Sequence, residues 1–279
     1  MTTDHPDLPT DLRGALERAV DDTLGGPPLL VASDFDGVLA PLVDDPSASR
    51  PTDAADAALR RLAVAAPDRV RVALVSGRNL DSLTRLTDPP AGTLLVGSHG
   101  AERADVHAAP DGTTVVERVP FHLTAEEGAL LGRVRTGLAQ IADPLEGAWV
   151  EDKPSAAVLH TRRCAPEDGT LAARAAVELG EGLGAHTMSG KDVVEIAVTS
   201  TSKGVALTAL RDELGLGTVF YMGDDVTDER AFEVLEREDL TVKVGSGETA
   251  ARFRVADPDA AAAVLTVIAD RLEIDAARS

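Results

Sequence analysis

The most restrictive feature of this chain is a series of short apolar runs that each stop abruptly at small or acidic residues. Residues 29–32 lead into Asp34-Phe35-Asp36-Gly37 and a loop closed by Pro41. Residues 70–75 stop at Ser76-Gly77-Arg78, 93–96 at Gly97-Ser98-His99-Gly100, and 218–222 at Gly223-Asp224-Asp225. Short apolar runs bounded by turn signals read as buried strands. Helical patterns lie between them at 52–66, 79–86, 204–214 and 228–235. Strands at 241–244 and 252–255 and a closing helix at 258–272 complete the series. Strands alternating with helices predict βαβ units, hence an α/β fold with a Rossmann-like parallel sheet.

The alternation breaks between about Ala104 and Val198. There β-like segments lie at 113–119 and in two close pairs, 148–151 with 156–162 and 186–189 with 193–198, with helix candidates at 124–141 and 167–179. Gly112 and Gly190 are turn signals between neighbouring strands. The pattern predicts a smaller α+β domain, 104–198, inserted into a core made of 27–103 and 199–279. Residues 1–26 read as a polar N-terminal extension, with a short amphipathic helix within 12–24. Trp149 and Tyr221 read as core residues.

Along an extended strand, residues i and i+2 share a face. Asp34 and Asp36 are therefore expected to look together into the crevice beyond the strand's carboxyl end, where open α/β sheets place ligands. Two carboxylates so close repel unless a cation or proton joins them. An acidic turn after a strand is common, so this motif does not decide the matter alone.

Composition narrows the field. The 279 residues carry a formal charge of −20, which argues against nucleic acid and anionic membrane surfaces as partners. A phosphate-bearing substrate would then need a local positive site, from a metal or a few placed Lys and Arg. Aromatics are only 3%, so a sugar site would depend on hydrogen bonds more than ring stacking. No apolar run approaches the ~20 residues of a membrane span. The first residues show neither a basic start nor the apolar stretch of a secretory leader. One cysteine, Cys164, precludes an internal disulfide. A cytoplasmic location is expected.

Four signals sit in one order at predicted strand or helix ends: DFDG, SGR, Lys203 opening a helix, and GDDVTDE. That order resembles the haloacid dehalogenase superfamily of phosphotransferases. The segments DFDGVLAP, GSHGAE, EDKPSAAVLHTRR, GKDVVEI and GDDVTDERAF together resemble the trehalose-6-phosphate phosphatases, over about residues 29–272. The resemblance implies Mg²⁺-dependent hydrolysis of trehalose 6-phosphate to trehalose and phosphate, with the insert as a cap closing over the sugar. It also suggests a functional link to a trehalose-6-phosphate synthase. Rival expectations are a phosphatase for another sugar phosphate, a silent sugar-phosphate-binding regulatory domain, and a phosphomutase.

Phosphate-ester hydrolysis needs a nucleophile, neutralisation of the phosphoryl oxygens and a proton for the departing alkoxide. Asp34 is expected to attack and form an aspartyl-phosphate. Asp36 would protonate the sugar oxygen and then activate water. Asp34 and Asp224 would hold Mg²⁺ through carboxylates, with the Asp36 main-chain carbonyl as the family implies, while Asp225 and Asp228 orient that shell. Ser76, with neighbouring backbone N–H groups including that of Gly77, would hold a phosphoryl oxygen, and Lys203 would offset negative charge. Ser76 could equally cap the next helix. The resemblance places sugar contacts at Glu151, Lys153 and Glu195, Arg162 toward the phosphate, and Arg78 and His99 near substrate. Two departures stand out. Val38 replaces the usual Thr after DxDG, and IAVTSTSKG lacks the more typical Arg-Pro before the lysine. The junctions near Ala104 and 199–202 are expected to hinge.

Overall fold

A computed structural model describes residues 8–120, 122–199 and 201–276. In chain order the elements are α1 (Thr10–Asp22), β1 (Leu29–Ser33), α2 (Asp53–Ala65), β2 (Val70–Val75), α3 (Leu80–Thr87), β3 (Thr93–Gly97), β4 (Glu102–Ala108) and β5 (Thr114–Val119). Then come α4 (Ala125–Ala142), β6 (Trp149–Asp152), β7 (Ala156–His160), α5 (Pro166–Leu183), β8 (His186–Gly190) and β9 (Val193–Ala197). The chain closes with α6 (Lys203–Leu214), β10 (Val219–Gly223), α7 (Val226–Val234), β11 (Leu240–Val244), β12 (Phe253–Val255) and α8 (Pro258–Ala276). Two units result, divided at Val119/Pro120 and Thr201/Ser202.

The first unit is built on an eight-stranded sheet in the order β12-β11-β10-β1-β2-β3-β4-β5. Pairing is parallel from β12 through β3 and antiparallel beyond. Strand β1 lies between β10 and β2, so the chain leaves it in one direction and returns on its other side. Its residues are buried on both faces, as a central parallel strand requires. Leu29 and Val31 join the cluster with α1, α2, α3 and α8, whereas Leu30 and Ala32 join that with α6 and α7.

Helix starts follow local chemistry. Thr52, Asn79 and Ser202 each accept a hydrogen bond from a first-turn N–H of α2, α3 and α6. Helix α1 belongs to this unit and is no loose extension. Leu12, Leu16 and Val20 are fully buried in the main core, each contributing about 1.5–3 kcal/mol by burial. The first seven residues of the expected extension lie outside the described residues.

The insert begins later than the sequence suggests. Strands β4 and β5 were expected to lie almost wholly within it, yet they pair antiparallel onto β3 and extend the core sheet. The insert therefore starts at Pro120 and ends at Thr201. Nothing local distinguishes an edge strand of one sheet from a strand of the next; only the pairing partner does.

The second unit is a four-stranded antiparallel sheet, β6-β7-β9-β8, with α4 and α5. Val150, Ala157, Leu159, Val194 and Ile196 turn toward the helices. The residues between them along the strands take the opposite face. Trp149 is on that face and 38% exposed, against the expectation of a core position. Tyr221, by contrast, is fully buried on β10. No described helix is long and apolar enough to cross a membrane.

Candidate active site

The carboxyl ends of β1 and β10 bring together the acids of two distant motifs. Asp34 follows β1, and its N–H donates to the Met222 carbonyl at 2.9 Å. The side chain is almost wholly buried. Its Oδ1 accepts from the Phe35 N–H at 2.6 Å and its Oδ2 from Lys203 Nζ at 2.8 Å. Lys203, the first residue of α6, is 1% exposed, so it is no solvated surface lysine. It donates at 2.8 Å to Asp228 Oδ1 as well.

Asp228 is completely buried and saturated. Besides Lys203, its carboxylate accepts from the Tyr221 hydroxyl, the Asp224 N–H (2.9 Å) and the Asp225 N–H (3.0 Å). Four donors occupy the four lone-pair directions of a carboxylate. Asp228 thus shapes the loop carrying Asp224. Asp225 caps α7 in a reciprocal pair with Asp228, so the helix-cap and site roles coincide.

Burial, and then the like charges of Asp228 and Asp225, push the Asp224 carboxyl up to about 7. Asp34 is also raised, by burial first, against the pull of Lys203. Asp225 goes the other way: despite burial, Lys203 and the Thr227 hydroxyl hold it at about 2. Burial would lower the Lys203 ammonium, but Asp34, Asp228 and Asp225 outweigh it and raise it.

Oxygens of Asp34, Asp224 and Asp228 lie within 4.8 Å of one another. With Asp228 already saturated by its four donors, Asp34 and Asp224 offer the hard carboxylate oxygens that a small divalent cation such as Mg²⁺ prefers. The backbone is shaped to allow it. Gly37 has φ +74°, and a Cβ there would come 2.1 Å from Asp224 Oδ2.

Asp36 departs from its expected place. Its carboxylate is not part of that acidic cluster. Arg78 grips it through two bonds, Nε to Oδ2 at 2.6 Å and Nη2 to Oδ1 at 2.7 Å, and Ser49 Oγ donates at 3.0 Å. The reason is a tight turn: the Phe35 carbonyl accepts from the N–H groups of Val38, Leu39 and Ala40. The strand has ended before Asp36, so the i, i+2 alternation no longer applies. Val38 is fully buried at this turn, where its backbone N–H makes the turn bond.

Ser76 is 1% exposed and does not cap α3; Asn79 does. Its Oγ accepts from the Arg78 N–H at 3.2 Å. Gly77 leaves room for the His99 ring, since a Cβ would meet it at 2.5 Å. His99 has φ +54°. Its N–H donates to the Ser76 carbonyl at 3.1 Å, and the Ser98 N–H to that of Arg78 at 2.8 Å. Ser76, Gly77, Arg78 and His99 are therefore one knit loop pair.

Three supporting residues escaped sequence reasoning. Glu102, nearly buried, accepts from Ser98 Oγ at 2.6 Å and the Leu80 N–H at 3.3 Å, bracing both loops. Lys243, in the apolar β11, donates to the Asp224 carbonyl at 2.6 Å and pairs with Glu229 at 3.1 Å. Tyr221 reads as one more apolar strand residue, and its hydroxyl contact has no local signature. The available signals were a lysine inside an apolar run and, for Glu102, its place at the end of GSHGAE.

In the second unit, Lys153 and Glu195 form an ion pair at 2.6 Å, both largely covered. Glu151 pairs with His160 at 2.9 Å. Glu151, Val158 and Glu195 stand opposite one another on successive strands, which puts both acids on one sheet face. Arg162 is exposed and lines a depression with Thr161, Cys164, Gly169 and Asp192, which includes none of those residues.

With this geometry in view, the trehalose-phosphatase family model matches residues 32–259. A trehalose-phosphate phosphatase of Mycobacterium avium is 32% identical over 269 residues, 90% of this chain and 65% of that protein. A bifunctional trehalose-6-phosphate synthase/phosphatase of Thermoproteus tenax is 35% identical over 82% of this chain and 30% of its own length. The chain thus spans less than two thirds of these relatives. The structure of the Aspergillus fumigatus trehalose-6-phosphate phosphatase superposes with a TM-score of 0.67 at 25% identity, covering 95% of this chain and 99% of that one. Motifs, fold and matched length agree: the chain belongs to the trehalose-phosphatase family.

Proposed function

We propose that this protein hydrolyses trehalose 6-phosphate to trehalose and phosphate through an aspartyl-phosphate on Asp34, in the cytoplasm and with Mg²⁺ held by Asp34 and Asp224. The observation that carries it is Asp34 itself, buried at the end of β1 and bonded to Lys203, with an acid–arginine pair two residues on. Bound there, Mg²⁺ would neutralise phosphoryl charge as a Lewis acid.

An Asp34 oxygen attacks phosphorus while the bond to the sugar oxygen breaks, and Asp36 delivers the proton to that oxygen. Asp36 then takes a proton from water, which attacks phosphorus, releases phosphate and restores Asp34. Lys203 holds Asp34 in place and offsets the charge that accumulates. Ser76 and the Gly77 N–H meet a phosphoryl oxygen. Glu151, Lys153 and Glu195 accept and donate hydrogen bonds to hydroxyls, with Arg162 serving the phosphate; these roles rest on the family resemblance. A sugar alkoxide is a poor leaving group, so the proton from Asp36 is worth about 10²–10⁴-fold in rate. The paired activities in the name of the Thermoproteus relative support a link to a synthase.

Phosphate release from a panel of sugar phosphates tests the proposal. Trehalose 6-phosphate should be preferred, and chelator or Asp34→Asn should abolish turnover. Preference for a different sugar phosphate, binding without turnover at saturating Mg²⁺, or isomerised phosphosugar in place of free phosphate would each overturn it.

A further inference from the structure

On the helix-free face of the second unit's sheet, Trp149 and His160 stand directly opposite each other on β6 and β7. Their rings are parallel, 1° apart in plane, with centroids at 4.5 Å. The Arg163 guanidinium lies 5.3 Å from the Trp149 ring centroid. Glu151 is two residues along β6 from Trp149 and so shares its face. His160 Nε2 is 2.9 Å from Glu151 Oε2. A carboxylate offers only acceptors, so Nε2 carries the hydrogen and donates.

The consequence concerns the glutamate. Glu151 is 40% exposed. An exposed glutamate normally samples many rotamers, and ordering it on sugar arrival costs affinity. Here the strand register places the imidazole, the Trp149 ring fixes its plane, and the imidazole takes one lone pair of the carboxylate. The remaining lone pairs are left to accept from hydroxyls in a set direction. Lys153 and Glu195 order each other by direct ion pairing; among the described residues the ion-pair partner of Glu151 is His160.

The geometry points to His160, clamped by Trp149, as a positioning residue that presets Glu151 for the substrate's hydroxyls and so sets substrate affinity. This inference rests on the proposed function and on the assignment of Glu151 to the sugar.

Steady-state kinetics of the full chain with Mg²⁺ test it, using trehalose 6-phosphate and p-nitrophenyl phosphate, which has no sugar. His160→Ala should raise KM for trehalose 6-phosphate about tenfold or more, the scale of one hydrogen bond to a charged group. Its kcat and its p-nitrophenyl phosphate kinetics should stay near the parent's. His160→Gln, which can offer an amide N–H at similar reach, should lie closer to the parent than to His160→Ala. If His160 acts through Glu151, the double variant with Glu151→Gln should be no worse than Glu151→Gln alone.

An unchanged KM in His160→Ala, an equal loss on both substrates, a Gln variant as poor as Ala, or additive effects would each overturn the inference while Glu151→Gln alone still raises KM. A Glu151→Gln enzyme with parental KM removes the Glu151 assignment and the inference with it. A parent that does not turn over trehalose 6-phosphate refutes the proposed function itself.

Discussion

Arg78 holds both oxygens of Asp36 in a parallel fork, at 2.6 and 2.7 Å. The residue expected to donate the proton is thus fixed in direction, outside the cluster of acids around Asp34. Only guanidinium matches a carboxylate in this bidentate way; an ammonium is a point donor. Arg78→Lys should therefore be no conservative change. Its kcat for trehalose 6-phosphate should fall about tenfold or more, the scale of one lost charge-assisted bond. A kcat within twofold of the parent's would show that the fork does not serve the acid.

How far the chain could be read in advance follows from where each signal resides. Strand ends at Asp34, Ser76 and Asp224 were legible because burial on both faces writes a continuous apolar run that must stop somewhere. Helix caps are local chemistry too, yet Ser76 was the residue offered for α3, where Asn79 makes the cap, and Ser202 was not singled out. Asp36 was misplaced because a turn closed on the Phe35 carbonyl leaves no mark beyond a glycine. Strands β4 and β5 went to the wrong unit because sheet membership is a long-range pairing. Tyr221, Glu102 and Lys243 owe their roles to partners on other elements, reached only after folding.

Asp228 has four donors and no solvent, so removing its charge should cost more than an ordinary surface change. Asp228→Asn deprives the buried Lys203 of one of its two close carboxylates and presents NH₂ where an acceptor is required. Losing one partner of a buried ion pair costs about 3–5 kcal/mol. Tyr221→Phe, which deletes one bond to the same carboxylate, should cost about 1.5–3 kcal/mol. Urea unfolding should rank parent above Tyr221→Phe above Asp228→Asn; equal midpoints would contradict the buried network.

Gly37 separates geometry from stability. A methyl group there meets Asp224 Oδ2 at 2.1 Å and is further strained by φ +74°. The strain is about 1–2 kcal/mol, affordable for a chain with a core of this extent. The displaced carboxylate is not, if it holds the metal. Gly37→Ala should retain its far-UV circular dichroism and a cooperative melt while phosphatase activity drops at least about 10²-fold, since a small misplacement at a reaction centre is that costly. Parental activity would mean that the Asp224 position is not critical.

The last prediction concerns protons and the metal together. Asp224 has its carboxyl raised from an ordinary 3.8 to about 7 by burial, Asp228 and Asp225. A carboxyl with a raised native pKa binds its proton more tightly folded than unfolded. Its contribution is fully present below about 4 and is lost as pH rises through about 7. Asp34, also raised, acts in the same sense. Metal-free protein should therefore lose stability between pH 5.5 and 8. Mg²⁺ competes with the same proton, so its benefit should be greater at pH 8, reaching about 2.7 kcal/mol at a hundredfold excess over Kd. Urea midpoints at both pH values, in chelator and in Mg²⁺, provide the check. A chelated midpoint that rises with pH, or a Mg²⁺ effect larger at pH 5.5, would mean that these acids do not share a cation.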